Sequence, residues 1–77
     1  MTEQQRKRLA EYLDDENIEI RTIEYPSGLS KDGRALLDAV KVYYHMTIPE
    51  RGEKRGYIDW YGPDGWHVNT EYKGVIA

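Results

Sequence analysis

The chain holds two histidines, His45 and His67, and no cysteine. Together with Asp59 the two imidazoles form a set that could hold a metal ion or relay a proton. The spacing argues against both. Nothing resembles two histidines one helical turn apart, the pattern that makes a zinc site recognisable. His45 with Asp59 resembles a base and the carboxylate that orients it, but no nucleophile stands beside them. Ser27 and Ser30 are the only serines, both in a turn-rich stretch without a Gly-x-Ser-x-Gly setting. Asp14, Asp15 and Glu16 are consecutive carboxylates with no cleft around them. A chain of 77 residues also has little volume for a concave active site. These patterns predict no catalytic residue, no metal and no cofactor. The chain reads as a non-enzymatic protein.

Two other groupings point to binding. Arg51, Lys54 and Arg55 make a basic cluster, and Arg6, Lys7 and Arg8 a second one. With tyrosines displayed on a sheet, such a cluster suits a small nucleic-acid-binding domain. The net charge of -3 opposes that reading, because phosphate binders carry a strong positive bias. The aromatic composition is uneven, with seven Tyr, two Trp and no Phe. Tyr and Trp join an apolar body to a polar tip and suit surfaces that are intermittently wet. A protein–protein contact is the better fit.

The elements that would position these residues follow from periodicity. Residues 2–15 predict a helix. Thr2 followed by Gln5 fits a capping box, and Leu9, Tyr12 and Leu13 make an apolar stripe at helical spacing. The charges run against the helix dipole, with Arg6, Lys7 and Arg8 early and Asp14, Asp15 and Glu16 late. Residues 18–25 predict a strand whose alternation breaks at Arg21-Thr22, as a bulge would break it. Pro26-Ser27-Gly28 ends it. Residues 29–34 read as a loop, and 35–39 suit either a helical turn or the next strand. Val40, Val42, Tyr44, Met46 and Ile48 alternate with Lys41, Tyr43, His45 and Thr47, which is the period of a half-buried strand. Residues 49–54 read as a charged loop, 55–61 as a third strand and 66–73 as a fourth. Gly62-Pro63-Asp64-Gly65 fits a type I turn with Gly at the position that needs positive φ. The fold class is therefore α+β over residues 1–77. An N-terminal helix packs on one face of a four-stranded antiparallel sheet, an α-β-β-β-β meander.

The turn predicts a register in which Tyr61 faces His67, Asp59 faces Asn69 and Tyr57 faces Glu71. Trp60 faces Val68, and Ile58 faces Thr70. Placing Trp60 beside Tyr44 collects Ile58, Trp60, Trp66, Val68 and Tyr72 with the apolar set of the second strand, under the helix. The rows Tyr43–Tyr61–His67 and His45–Asp59–Asn69 then lie on the open face. Tyr43, Tyr57, Asp59, Tyr61 and His67 are the expected partner-binding residues, with the outward side of the hairpin rather than its tip as the contact. The resulting expectation is a protein-binding module that occupies a partner protein. A short cysteine-free chain of this form suits a phage- or mobile-element-encoded inhibitor of a host defence system. The alternatives are nucleic-acid binding through Arg51, Lys54 and Arg55, and a structural homodimer joined by sheet face or edge. No apolar run approaches the roughly 20 residues a membrane span needs, and the polar start lacks the apolar segment of a signal peptide. The expected location is the cytoplasm.

Overall fold

The computed structural model describes residues 1–25 and 38–77. The expected turn at Pro26-Ser27-Gly28, the loop at 29–34 and the stretch Ala35-Leu36-Leu37 lie outside the described residues. Helix α1 spans Glu3–Leu13 and is followed by four strands, β1 (Ile18–Glu24), β2 (Val40–Ile48), β3 (Glu53–Tyr61) and β4 (His67–Val75). The strands lie in chain order in one antiparallel sheet. The expected α+β meander is the observed one.

The helix begins as its sequence dictates. The Thr2 hydroxyl accepts the Gln5 N–H, and the Gln5 amide oxygen accepts the Thr2 N–H at 2.9 Å. This reciprocal bonding satisfies two of the donors that a helix start leaves open. Gln5 has a second task. Its side-chain nitrogen donates to the carbonyls of Asp38, at 2.6 Å, and Gly62, at 3.2 Å. It is only 1% exposed, with its polar groups paired. The buried stripe is consequently Gln5, Leu9 and Tyr12. Leu13, expected on that stripe, is 77% exposed. Positions 5, 9 and 12 follow one helical seam, and position 13 is turned about 100° past 12.

The bulge in β1 is present. Ile20 pairs with Tyr44 and Thr22 with Tyr43, leaving Arg21 as the extra residue. Ile18 and Ile20, and beyond the bulge Ile23, thus share the face of Met46, Tyr44 and Val42. The β2–β3 connection is shorter than expected. Ile48 pairs with Glu53, so the loop is only Pro49-Glu50-Arg51-Gly52, with Gly52 at φ 61°. This register sets Val40 against Tyr61, Val42 against Asp59 and Tyr44 against Tyr57. Relative to the expected pairing the slip is an odd number of residues, and an odd slip exchanges the two faces of a strand. Tyr57, Asp59 and Tyr61 therefore lie on the helix-covered face. Ile58 and Trp60 lie on the open face, opposite Tyr43 and Lys41. The core beneath the helix combines Leu9 and Tyr12 with Val40, Val42, Tyr44 and Tyr61.

The last hairpin keeps its expected turn. Gly65 donates to the Gly62 carbonyl at 2.9 Å and holds φ 81°. Tyr61 faces His67 as expected. One residue later the ladder shifts, because Val68 is accommodated as an extra residue. Trp60 then faces Asn69, Asp59 faces Thr70, Ile58 faces Glu71 and Tyr57 faces Tyr72. Trp66 and Val68, expected under the helix, are both exposed. Their strand lies at the sheet edge, beyond the reach of the helix stripe.

Gly65 also fixes where the helix can lie. A Cβ built at this position would stand 3.0 Å from both the Cβ and the backbone oxygen of Gln4. Backbone that close, combined with positive φ, leaves a side chain no easy escape. Gly65→Ala should cost more than about 1 kcal/mol. Thermal unfolding followed by circular dichroism should show a fall of at least roughly 4–8 °C. An unchanged melting temperature would show that the helix and turn are not packed this closely.

Candidate functional site

A candidate site is built from the residues that meet at Asp59. This side chain is only 7% exposed, yet it is a carboxylate. The Tyr12 hydroxyl donates to Asp59 Oδ2, and the Thr70 hydroxyl donates to Oδ1 at 2.7 Å. Helix α1 and strand β4 thus converge on one β3 residue. Each hydroxyl has a single proton. The Tyr12 proton is committed to Asp59, so the contact between the Tyr12 and Tyr61 hydroxyls is a donation from Tyr61. The Thr70 proton is committed likewise. The 2.6 Å contact between His67 Nε2 and Thr70 Oγ1 is therefore a donation from the imidazole. Four donors are arranged as two relays, both ending on the same carboxylate.

The aromatic rings close around this centre. Tyr12 meets Tyr44 edge-on at 5.1 Å and Tyr61 at 6.2 Å, Tyr44 stacks on Tyr57 at 5.6 Å, and the His67 ring lies against Tyr61 at 5.8 Å. Edge-on and offset contacts of this kind are the favoured geometry of aromatic pairs. A shallow cavity of about 190 Å³ opens beside them, lined by Glu11, Tyr12, Ile18, Tyr44 and Asp59.

The titration behaviour follows from burial and charge. Burial, reinforced by the hydrogen bond to Asp59, pushes the Tyr12 phenol far above its ordinary range. Burial and then the Asp59 charge do the same to Tyr44. Tyr61 is also raised, chiefly by burial. These phenols stay protonated across the neutral range. The arrangement holds protons in place and fixes the helix to the sheet.

The expected partner-binding residues are divided by the observed register. Tyr57, Asp59, Tyr61 and His67 share the helix side of the sheet. Tyr43 is on the open face, where its hydroxyl lies 3.1 Å from His45 Nε2. His45 is separated by the sheet from Asp59 and His67, so the expected His45–Asp59–Asn69 row does not exist. Among the described residues no three His, Cys, Asp or Glu side chains gather as a metal site would require. The basic trio is divided too. Arg51 lies in the β2–β3 loop and Lys54 on the open face. Arg55 is on the helix side, where its Nε and one terminal nitrogen bond Glu53 at 3.1 and 2.8 Å. That pairing raises the Arg55 pKa further and engages two of the donors a phosphate would use.

Sequence reasoning missed Trp66. It is 72% exposed and stands at the foot of the hairpin turn, on a rigid mount. The Trp66 carbonyl accepts from Gly62 at 3.0 Å, and its N–H donates to Asp64 Oδ1 at 3.1 Å. The turn is in turn fastened to the helix. Arg8 Nε donates to the Gly65 carbonyl at 2.7 Å, and the Thr2 hydroxyl to the Pro63 carbonyl at 2.6 Å. The available signal was Trp immediately after a turn glycine, where alternation is not yet established. Comparison with protein-family models, curated proteins and solved structures finds no match to this chain. Among the described residues no helix is long and apolar enough to cross a membrane.

The raised phenols make stability depend on alkaline pH. An unfolded tyrosine ionises above about pH 10, whereas the folded ones keep their protons. The unfolded state then binds fewer protons than the folded one, so stability is whole below about pH 10 and falls as pH rises beyond it. Chemical denaturation between pH 7 and 11 should show this decline. Tyr12→Phe should cost about 1.5–3 kcal/mol at pH 7, the worth of a hydrogen bond to a charged acceptor, and should flatten the decline. Equal stability of wild type and variant at pH 7 would remove the Tyr12–Asp59 bond from the account.

Proposed function

We propose that the protein is a non-enzymatic binding module that occupies a partner protein, with Trp66 as the anchor of the contact. The reading rests on that exposed indole held by a turn whose backbone is bonded to the helix. Large side chains ordinarily lose rotamer freedom and loop freedom on binding. Here the backbone on either side of Trp66 is fixed in advance, which lowers the ordering cost. Trp is also among the residue types most enriched at energetic hot spots. His67 and Val68, both exposed, extend the surface along β4. The buried Asp59 and Tyr61 and the half-buried Tyr57 support this surface from behind. Inhibition of a host system by a phage- or mobile-element-encoded chain is one biological form that such occupation takes.

Trp66→Ala tests the reading. Affinity capture from a native lysate, compared quantitatively between wild type and variant, should lose its specific partner on substitution. Reconstitution with that purified partner should show binding at least about 30-fold weaker, corresponding to the 2 kcal/mol or more of a hot spot. The melting temperature should move by no more than a few degrees. A partner that binds both proteins equally would overturn the role of Trp66, and a large fall in melting temperature would make the indole a packing residue.

A further inference from the structure

Helix α1 ends in an acidic run that does not help to hold the fold. Glu11, Asp14, Asp15 and Glu16 crowd its last turn and the bend after it, and no basic residue stands in that turn. The negative end of the helix dipole lies there too, so these charges cost stability. The bend is fixed by its backbone. Asp15 donates to the Tyr12 carbonyl at 3.2 Å, and Ile18 to the Asp15 carbonyl at 3.1 Å. Tyr12 and Ile18 also line the cavity of about 190 Å³, together with Glu11, Tyr44 and Asp59. The acidic bend therefore joins two walls of that cavity.

We infer that this cavity binds an organic cation, an ammonium or guanidinium group on an apolar stem such as a lysine or arginine side chain carries. Asp59 supplies the deepest charge. An ionised carboxylate has about four acceptor sites, and the Tyr12 and Thr70 hydroxyls fill two of them. Both donors are neutral. Among the described residues no Lys or Arg pairs with Asp59. Burying a charge is costly unless it is paired, and an entering cation supplies the pair.

The walls suit the rest of such a group. Tyr12 and Tyr44 meet at 80°, giving the cavity two aromatic sides at nearly a right angle. Tyrosine rings attract an organic cation and also pack against its stem, as Ile18 does. A hydrated metal ion gains little from such walls, since it keeps its waters. The volume is below the roughly 300 Å³ at which drug-sized pockets begin, so it fits one side chain. Arg8 is a neighbouring cation, with Nη1 3.5 Å from Glu11. It does not line the cavity, and its Nε is held by the Gly65 carbonyl. The Glu11 side chain is 63% exposed, so that pair is weak and leaves Glu11 open to a second cation.

Titration of the isotope-labelled full chain with n-butylammonium chloride, followed by NMR at matched ionic strength, tests the site. Saturable shifts are expected at Glu11, Tyr12, Ile18 and Tyr44, and n-butylguanidinium should move the same signals. n-Butanol keeps the stem without the charge and should bind at least about tenfold more weakly, the worth of a hydrogen bond to a charged group. Glu11→Gln should weaken n-butylammonium about threefold, as loss of one exposed charge predicts, and Glu11→Lys at least about tenfold. Asp59→Asn should abolish binding if its melting curve shows a folded domain; Glu11→Lys carries the test if it does not. A short peptide with one central lysine separates two sources of the cation. Binding of that peptide assigns the cavity to a partner's side chain, and binding of n-butylammonium alone assigns it to a free amine. Absence of saturable shifts at these residues overturns the inference. So does equal binding of n-butanol, or a Glu11→Lys variant that binds as wild type does. Magnesium chloride reproducing the shifts at lower concentration would also overturn it, by marking an acidic surface only. Trp66→Ala should bind n-butylammonium unchanged, so loss of partner capture and loss of the cation site are separate results.

Discussion

A buried carboxylate bonded, among the described residues, by two neutral hydroxyls is the constraint around which this domain is arranged. Asp59 takes one hydroxyl from the helix and one from the edge strand, and each of those hydroxyls accepts from a further donor. Burying a charge without hydrogen bonds would cost far more than a small core could offset. The donors are therefore obligatory, and their positions fix the geometry. Tyr12 must face the sheet, which sets the rotation of the helix. Thr70 must oppose Asp59, which sets the register of β4 after its bulge. Donor relays that point one way polarise one another and strengthen the whole.

The composition explains why the core has this character. The chain has no Phe. Aromatic volume under the helix has to come from Tyr or Trp, and every buried Tyr brings a hydroxyl that needs a partner. Gln5 follows the same logic at the other end of the helix, with its amide shared between the capping box and the carbonyls of Asp38 and Gly62. The structure is consequently held by specific bonds at two ends of one helix, with a modest apolar cluster between them.

This polar core is also what limited reading from sequence. Element types, strand order, the capping box, the β1 bulge and the Gly65 turn were legible, because each rests on local chemistry: a cap, a broken alternation, a glycine at positive φ. The facing of β3 was not. In Tyr57-Ile58-Asp59-Trp60-Tyr61 hydropathy nominates Ile58 and Trp60 for the face under the helix, whereas hydrogen bonding nominates Asp59 and Tyr61. The second criterion needs Tyr12 and Thr70 in place, and both are distant in sequence. The four-residue loop at Pro49-Glu50-Arg51-Gly52 decided the matter: it pairs Tyr44 with Tyr57 instead of Trp60, and that odd slip inverted the strand. The candidate surface moved with it. Tyr61, expected to greet a partner, became part of the framework, and Trp66, expected inside, became an exposed group.

The bonds between the helix and the last turn join segments distant in sequence, since Thr2 and Arg8 meet Pro63 and Gly65. During synthesis the helix leaves the ribosome before its acceptors, which follow 57 and 61 residues later. Eleven residues are too few to stay helical unaided in water. The helix is therefore made before the strands but settles after them, and this domain closes only once the last hairpin has emerged from the exit tunnel.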